Sequence, residues 1–398
     1  MDINNIMELN HLASEEGVRF QKKRSQFDEI SNLVGRHFVG IVGPRGVGKT
    51  VLLKQFASSV PNSFYLSVDT LSADDDLFAL AKVLAEKYQI SNLLLDEIHF
   101  KKNFEAELKK IFDFLKIRVV FTSSVALAMV TSSFDLSRRI QLVPLPPFSY
   151  REYLFFKMGQ KLSKLSWEDL IEKKWSNDHL RMGFEFDHYL KGGLYPFTLE
   201  EPEPKPLFAS ILQKIIQKDI PSVVRLHTEE LSLIEKLVRF VGRSSVDGIN
   251  YSSLSQNIGI TKYKAEQYVD LLQKSFVLTA VVPEGANVLM EPKILMALPY
   301  RLLYDDYDRV VGGLREDFFA QTMAVAQWPF KYLKSLRGAK TPDFLVKTPQ
   351  GNVIIEVGGK GKGREQFKGI TNELKIRLVH SDDFEGDKRP LFMLSYLI

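Results

Sequence analysis

The sequence predicts an α/β fold: a parallel sheet wrapped by helices at the N-terminal end, then a helical region and a smaller α+β module. Three observations carry that prediction. The apolar run His37-Phe38-Val39-Gly40-Ile41-Val42 leads directly into a glycine-rich octapeptide, residues 43–50. A second apolar run, Leu93-Leu94-Leu95, ends in Asp96-Glu97. Strand and helix signals alternate from residue 20 to residue 145, the pattern of an open parallel sheet.

The octapeptide is Gly43-Pro44-Arg45-Gly46-Val47-Gly48-Lys49-Thr50, which matches the P-loop pattern G-x-x-x-x-G-K-[ST] without a substitution. With Gly near 7% of residues, about one chain of this length in a hundred would carry it by chance. The flanks reduce that chance further, because a buried strand precedes it and Val51, Leu52, Leu53, Phe56 and Ala57 form one helical face after it. Glycine here lets consecutive backbone N–H groups turn inward around an anion. Lys49 then reaches the β/γ-phosphates, Thr50 places its hydroxyl on Mg²⁺, and the helix beginning near Lys49 adds its positive end. ATP and Mg²⁺ are therefore the expected cofactors.

The second strand delivers Asp96 and Glu97 at its C-terminal end, where open α/β sheets bind ligands. Asp96 is expected to hold Mg²⁺ through water, and Glu97 to polarise the attacking water. A solvated turn is the bland explanation of the same dipeptide. The neighbouring His99 reads as a packed or surface residue. A helix over 104–115 leads to the strand Arg118-Val119-Val120-Phe121-Thr122, which ends in Ser123-Ser124. A hydroxyl there can sense the γ-phosphate, and it can equally cap the next helix. Arg138-Arg139 precede the strand 140–144; they suit an arginine finger in a neighbour's site or two solvated surface arginines.

Beyond Pro144, Pro146 and Pro147 the pattern becomes helical, broken by Gly192-Gly193 and by Glu201-Pro202-Glu203-Pro204-Lys205-Pro206, which reads as a stiff insert. Residues 229–285 read as a winged helix. Its first helix carries Leu231, Ile234, Leu237 and Val238, its third presents Lys262, Tyr263, Lys264 and Gln267 outward, and a wing strand spans 276–282. Glu266 and Asp270 on the third helix oppose a nucleic acid, and winged helices also serve protein contacts. Further on, residues 341–346 and 353–357 read as strands around a turn at Pro349-Gln350-Gly351, which sets Asp343 opposite Glu356. With Glu316 from the preceding helix, these carboxylates are a candidate second divalent-cation site; a hairpin with a polar wet face explains them as well. The expected divisions are 1–146 for the P-loop domain, 147–228 for a helical lid, 229–285 for the winged helix and 286–398 for the C-terminal α+β domain.

Composition excludes several classes. The 398 residues are 45% apolar and 26% charged, ordinary globular values that leave ample core. The absence of cysteine excludes disulfides and thiolate zinc sites and fits a reducing cytosol. The seven histidines lack metal-ligand spacing. A polar N-terminus and the lack of a long apolar run predict neither a signal peptide nor a membrane span, hence a cytoplasmic protein. Net charge is +4, and residues 331–398 hold 13 Lys+Arg against 8 Asp+Glu. A basic C-terminal module attracts nucleic acid, although such an excess is common on ordinary surfaces.

Taken together, these motifs resemble the prokaryotic AAA+-type P-loop ATPases whose C-terminal region is a domain of unknown function related to restriction endonucleases. The resemblance runs from about residue 24 to the C-terminus. It rests on residues 43–50 and 93–97, Thr122-Ser123-Ser124, and residues 139–153 with Pro144-Leu145-Pro146-Pro147-Phe148-Ser149. Residues 191–196, Asp219-Ile220, the winged-helix segment and the Asp343/Glu356 pair complete it. It implies an oligomeric, Mg²⁺-dependent ATPase acting on DNA. The order of P-loop domain, lid and winged helix is similar to that of Holliday-junction branch-migration motors, which implies branched DNA and junction remodelling. Two other readings stay open: a signalling switch that binds a protein partner, and an ATP-gated nuclease. The family's Pro-Asp…Glu-x-Lys pattern is met by Pro342-Asp343 and Glu356, but Gly358 stands where lysine is expected. Lys360 and Lys362 lie beyond, among glycines, so metal or DNA binding without cleavage fits as well as cleavage.

Overall fold

The computed structural model describes residues 3–33, 35–72, 74–125, 136, 138–244, 248–285, 291–333, 341–359, 365–367 and 373–398. It divides into two compact units, one of residues 1–147 with 217–225, the other of 148–216 with 226–398. The second unit holds the segments read above as lid, winged helix and C-terminal domain, save Pro147 and the nine residues 217–225, which belong to the first.

In the first unit five strands form one parallel sheet: β1 (Phe38–Val42), β2 (Ser63–Ser67), β3 (Asn92–Asp96), β4 (Arg118–Ser123) and β5 (Ile140–Pro144), in the order β2-β3-β4-β1-β5. Apolar side chains fill β1, β3 and β4 because both sheet faces are covered. Phe64, Leu66, Leu93, Leu95, Val119 and Phe121 form a core with Leu77, Leu80 and Leu84 of helix α4 (Leu77–Tyr88) and Leu108 and Ile111 of α5 (Phe104–Phe114). Earlier in the chain run α1 (Ile3–Arg19), α2 (Ser25–Ser31) and α3 (Lys49–Ser59), and α1 packs along α3 and β2. Because β4 lies between β1 and β3, three chain segments converge at one sheet edge.

The second unit opens with α6 (Tyr150–Met158), capped by Ser149 and Glu152 in reciprocal hydrogen bonds. Tyr150 packs edge-on against Phe186, Tyr189 and Tyr396. Gly192, at φ 127°, breaks the helical path as expected. The proline-rich insert does not remain a spacer at its C-terminal end. Pro204 caps α7 (Lys205–Lys214) and Pro206 sits in its first turn, where a missing N–H costs nothing.

Three helices follow, α8 (Thr228–Arg243), α9 (Tyr251–Ile258) and α10 (Lys262–Lys274). Gly259 closes α9 in a left-handed conformation and Thr261 caps α10. Ile234, Leu237 and Val238 are buried in α8 as expected, whereas Leu231 stays half-exposed. β6 (Leu278–Val281) pairs with β7 (Lys293–Met296), so the hairpin runs past residue 285. The sequence division at that point would cut it in two. A mixed sheet ends the chain: β8 (Phe330–Tyr332), β9 (Phe344–Thr348), β10 (Gly351–Gly358), β11 (Leu374–Val379) and β12 (Lys388–Pro390), ordered β12-β11-β10-β9-β8. Helix α11 (Tyr307–Val325) packs on β10 and β7. Among the described residues no helix is long and apolar enough to cross a membrane.

Candidate functional site

The site is built at the C-terminal edge of the parallel sheet, where β1, β3 and β4 end. Gly43 leaves β1 so close to the β5 exit that a Cβ would lie 2.0 Å from the Leu145 carbonyl oxygen. The Leu145 N–H donates to Val42 O at 2.8 Å and Gly43 N–H to Ser123 O at 3.3 Å. The loop base is thereby clamped between both neighbouring strands. Gly46 and Gly48 have φ of 88° and 92°, which L side chains resist, and Gly48 starts α3. Buried Arg24 donates to Val47 O and Pro146 O at 3.2 and 2.7 Å, tying the loop to the chain leaving the sheet. Pro44, Arg45, Val47, Thr50 and Val51 thus belong to a tight loop that runs into the N-terminus of α3.

Lys49 is buried, and its Nζ donates to Gly43 O and Pro44 O, each at 3.0 Å. Burial lowers its pKa, opposed by the charges of Glu97 and Asp96. Both oxygens of buried Asp96 accept from hydroxyls, Oδ1 from Thr122 and Oδ2 from Tyr65 at 2.9 Å. Glu97 adopts a left-handed conformation at φ 52°, a strained choice for a non-glycine residue. Its N–H donates to Thr122 Oγ1 at 2.9 Å. Thr122 therefore grips both acidic residues at once and aims the Glu97 side chain back over the loop.

There the Glu97 carboxylate accepts from Ser124 N–H at 3.2 Å and faces Arg45 at 3.8 Å and His99 Nδ1 at 3.3 Å. Burial pushes its pKa up, but Lys49, His99 and Arg45 outweigh that and hold it below the usual carboxylate range. Glu97 is thus a carboxylate at neutral pH. Burial lowers the His99 pKa, so the ring is neutral there. Because Glu97 can only accept, the proton belongs on Nδ1. Nε2 has no partner among the described residues.

The expected sensor hydroxyls divide in role. Ser123 Oγ donates to Val125 O at 3.0 Å and lies 3.3 Å from His99 Nδ1, whereas Ser124 Oγ donates to Asp219 Oδ2 at 3.3 Å. Asp219 is fully buried and holds Arg45 through two parallel bonds of 2.9 and 2.7 Å. Motifs give Asp219 and Tyr65 no role; His99 is packed, one of the two places expected of it. The signal for His99 was present, a histidine two residues beyond a candidate base; Asp219 is 174 residues from Arg45, and no local pattern reveals that pairing.

One expectation changes, and another concerns a neighbour's site. Arg139 sits where β5 begins, the sheet edge opposite the P-loop, and its guanidinium pairs with Asp113 at 3.1 Å. The adjacent Arg138 is exposed. The three carboxylates expected to share a second cation are not gathered: among the described residues no group of three or more His, Asp or Glu is placed to hold a metal ion. The hairpin register, with Phe344 opposite Ile355, does set Asp343 beside Glu356. Yet Asp343 Oδ2 accepts from Val357 N–H at 2.7 Å, and Glu316 pairs with Lys293 at 2.7 Å. A lysine has taken the carboxylate that a cation needed. Lys360 and Lys362 lie outside the described residues.

Two domain families match parts of this chain. A model of an AAA domain matches residues 35–154, and residues 183–305 match a domain of unknown function (DUF8612). An uncharacterised protein of Methanocaldococcus jannaschii is 28% identical over 409 aligned positions, covering 91% of this chain and 86% of that protein. An AAA-type domain therefore occupies residues 35–154, which points to nucleotide binding and a probable ATPase activity.

Proposed function

We propose that the chain is a Mg²⁺-dependent, AAA+-type ATPase that works on DNA as an oligomer. The observation that carries this is Glu97: a carboxylate held ionised by Lys49 and Arg45, oriented by Thr122 and Ser124, at the mouth of a P-loop. In this reading the backbone of residues 43–50 and Lys49 bind the phosphates of ATP. Thr50 holds Mg²⁺ directly. Asp96, each of whose oxygens already accepts a hydroxyl, holds it through water. Held there, Mg²⁺ would neutralise charge on the phosphates, and Glu97 would take the proton of the attacking water. Ser124 and Arg45 register the γ-phosphate. A neighbour's Arg138 or Arg139 supplies the finger. Residues 228–296, three helices and a hairpin, are read as a winged helix, and the C-terminal mixed sheet as endonuclease-like. The DNA part rests on the basic C-terminal segment rather than on α10, whose Lys262 and Lys264 are held by Glu291 and Glu230.

Lys49→Ala is expected to lose ATP binding. Glu97→Gln is expected to bind ATP and hydrolyse it on the order of 10²-fold slower or more, as removal of a general base requires. Wild-type turnover in Glu97→Gln removes that residue from catalysis. Run with single-stranded, duplex and four-way-junction DNA at several protein concentrations, the same assay tests the rest. Stimulation by DNA, and specific activity that rises with concentration and falls in Arg138→Ala/Arg139→Ala, are expected. Turnover indifferent to both DNA and concentration refutes the DNA-acting oligomer.

A further inference from the structure

We propose that the second unit carries a pocket for a nucleotide phosphate, separate from the P-loop. A cavity of about 540 Å³ opens between the end of α8, β7, α11 and the end of β10. That volume lies within the roughly 300–1,000 Å³ of small-molecule sites and suits a mononucleotide or one strand end, not a duplex. Arg243, Lys293, Arg301, Arg309 and Arg315 line it, against two carboxylates, Asp305 and Glu316.

The cations do not all serve alike. Arg301 is spent on the fold: it forks onto Asp317 and donates to Val241 O at 2.9 Å and Ser244 O at 3.4 Å. Lys293 is held by Glu316, and exposed Arg309 meets Asp305 at 3.5 Å. Neither Arg243 nor Arg315 has a carboxylate within ion-pair distance among the described residues. Arg315 is half-buried and donates from Nε to His380 Nδ1 at 3.0 Å, which fixes its plane and leaves its terminal nitrogens available. A guanidinium held this way matches the paired oxygens of a phosphate.

Helix α11 supplies the space. Arg309, Gly312, Gly313 and Glu316 recur at the spacing of one helical face. A Cβ on Gly313 would strike Arg301, whereas a Cβ on Gly312 would meet nothing within 4 Å. Packing therefore explains Gly313 and leaves Gly312 unexplained, a bare patch in mid-helix that faces the cavity. An anion seated there balances the excess positive charge. The source of the phosphate is a free nucleotide or a 5′-phosphorylated nucleic-acid end, which present the same group.

The test uses the full chain with AMP, a 5′-phosphorylated DNA oligonucleotide and its 5′-hydroxyl counterpart as probes, and measures ATP turnover in parallel. Binding of AMP or of the phosphorylated oligonucleotide over the hydroxyl one is expected, and the pattern identifies the source. Arg243→Ala and Arg315→Ala should each weaken it about tenfold or more, the cost of a charge-assisted hydrogen bond, with ATP turnover unchanged. Gly312→Met should also block it while removing no charge. Arg243 is exposed, so loss of binding in its variant is not loss of folding. Failure of all probes to bind, or binding insensitive to the arginine substitutions or to Gly312→Met, overturns the pocket. An inactive P-loop would refute the ATPase reading and leave this result intact.

Discussion

At the scale of single residues, His99 ties the site to pH. Its ring is buried between Glu97 Oε2 and Ser123 Oγ, each 3.3 Å from Nδ1, and burial holds its pKa below 6.5. The unfolded chain therefore takes the proton first as pH falls. Stability from the neutral ring is complete above about 6.5 and declines below it, until pH reaches the folded pKa, by up to about 1.4 kcal/mol per pH unit. His99→Asn keeps an N–H donor and removes the titration. Its thermal midpoint should drop less than the wild type's between pH 7.5 and pH 5.5. Equal drops in the two proteins would mean that His99 does not titrate in this window.

Among the elements, α11 offers a contrast between adjacent residues. Glycine in a helix interior costs roughly 0.5–1 kcal/mol relative to alanine. At Gly312 a methyl enters open space, so Gly312→Ala should stabilise by about that amount. At Gly313 the added Cβ would stand 2.8 Å from Arg301 Nε, and that guanidinium cannot yield without loosening its buried pair with Asp317. Breaking such a pair costs roughly 3–5 kcal/mol, so Gly313→Ala should destabilise by at least 1 kcal/mol on the order-of-magnitude scale of overpacking. Urea melts decide it: shifts of the same sign at both positions would contradict the packing described here.

For the whole molecule, the decisive segment is the run from residue 217 to 225. It packs with the first unit, while the residues before and after it belong to the second. Asp219 within it grips Arg45 of the P-loop and accepts from Ser124. On the reading proposed above a γ-phosphate competes for Arg45, so nucleotide binding should reach this segment directly. Asp219→Asn is expected to bind ATP within a few-fold of wild type yet lose the ATP-dependent change in hydrogen exchange across 217–225. An unchanged response in that variant would place the coupling elsewhere.

Local sequence determined whatever depends on neighbours in the chain. The P-loop glycines, Lys49, the Asp96-Glu97 ending of a buried strand and the strand at 118–123 were all legible, because strand burial and turn chemistry are written over spans of five to ten residues. The hairpin register that sets Asp343 beside Glu356 was legible for the same reason: a tight turn fixes its pairing. Tertiary structure alone decided the partners. Thr122 grips Glu97 because β4 lies beside β3, Asp219 reaches Arg45 across 174 residues, and Lys293 claims Glu316 from the expected cation site. Charge finds its counter-charge through space, and no spacing along the chain encodes which one arrives.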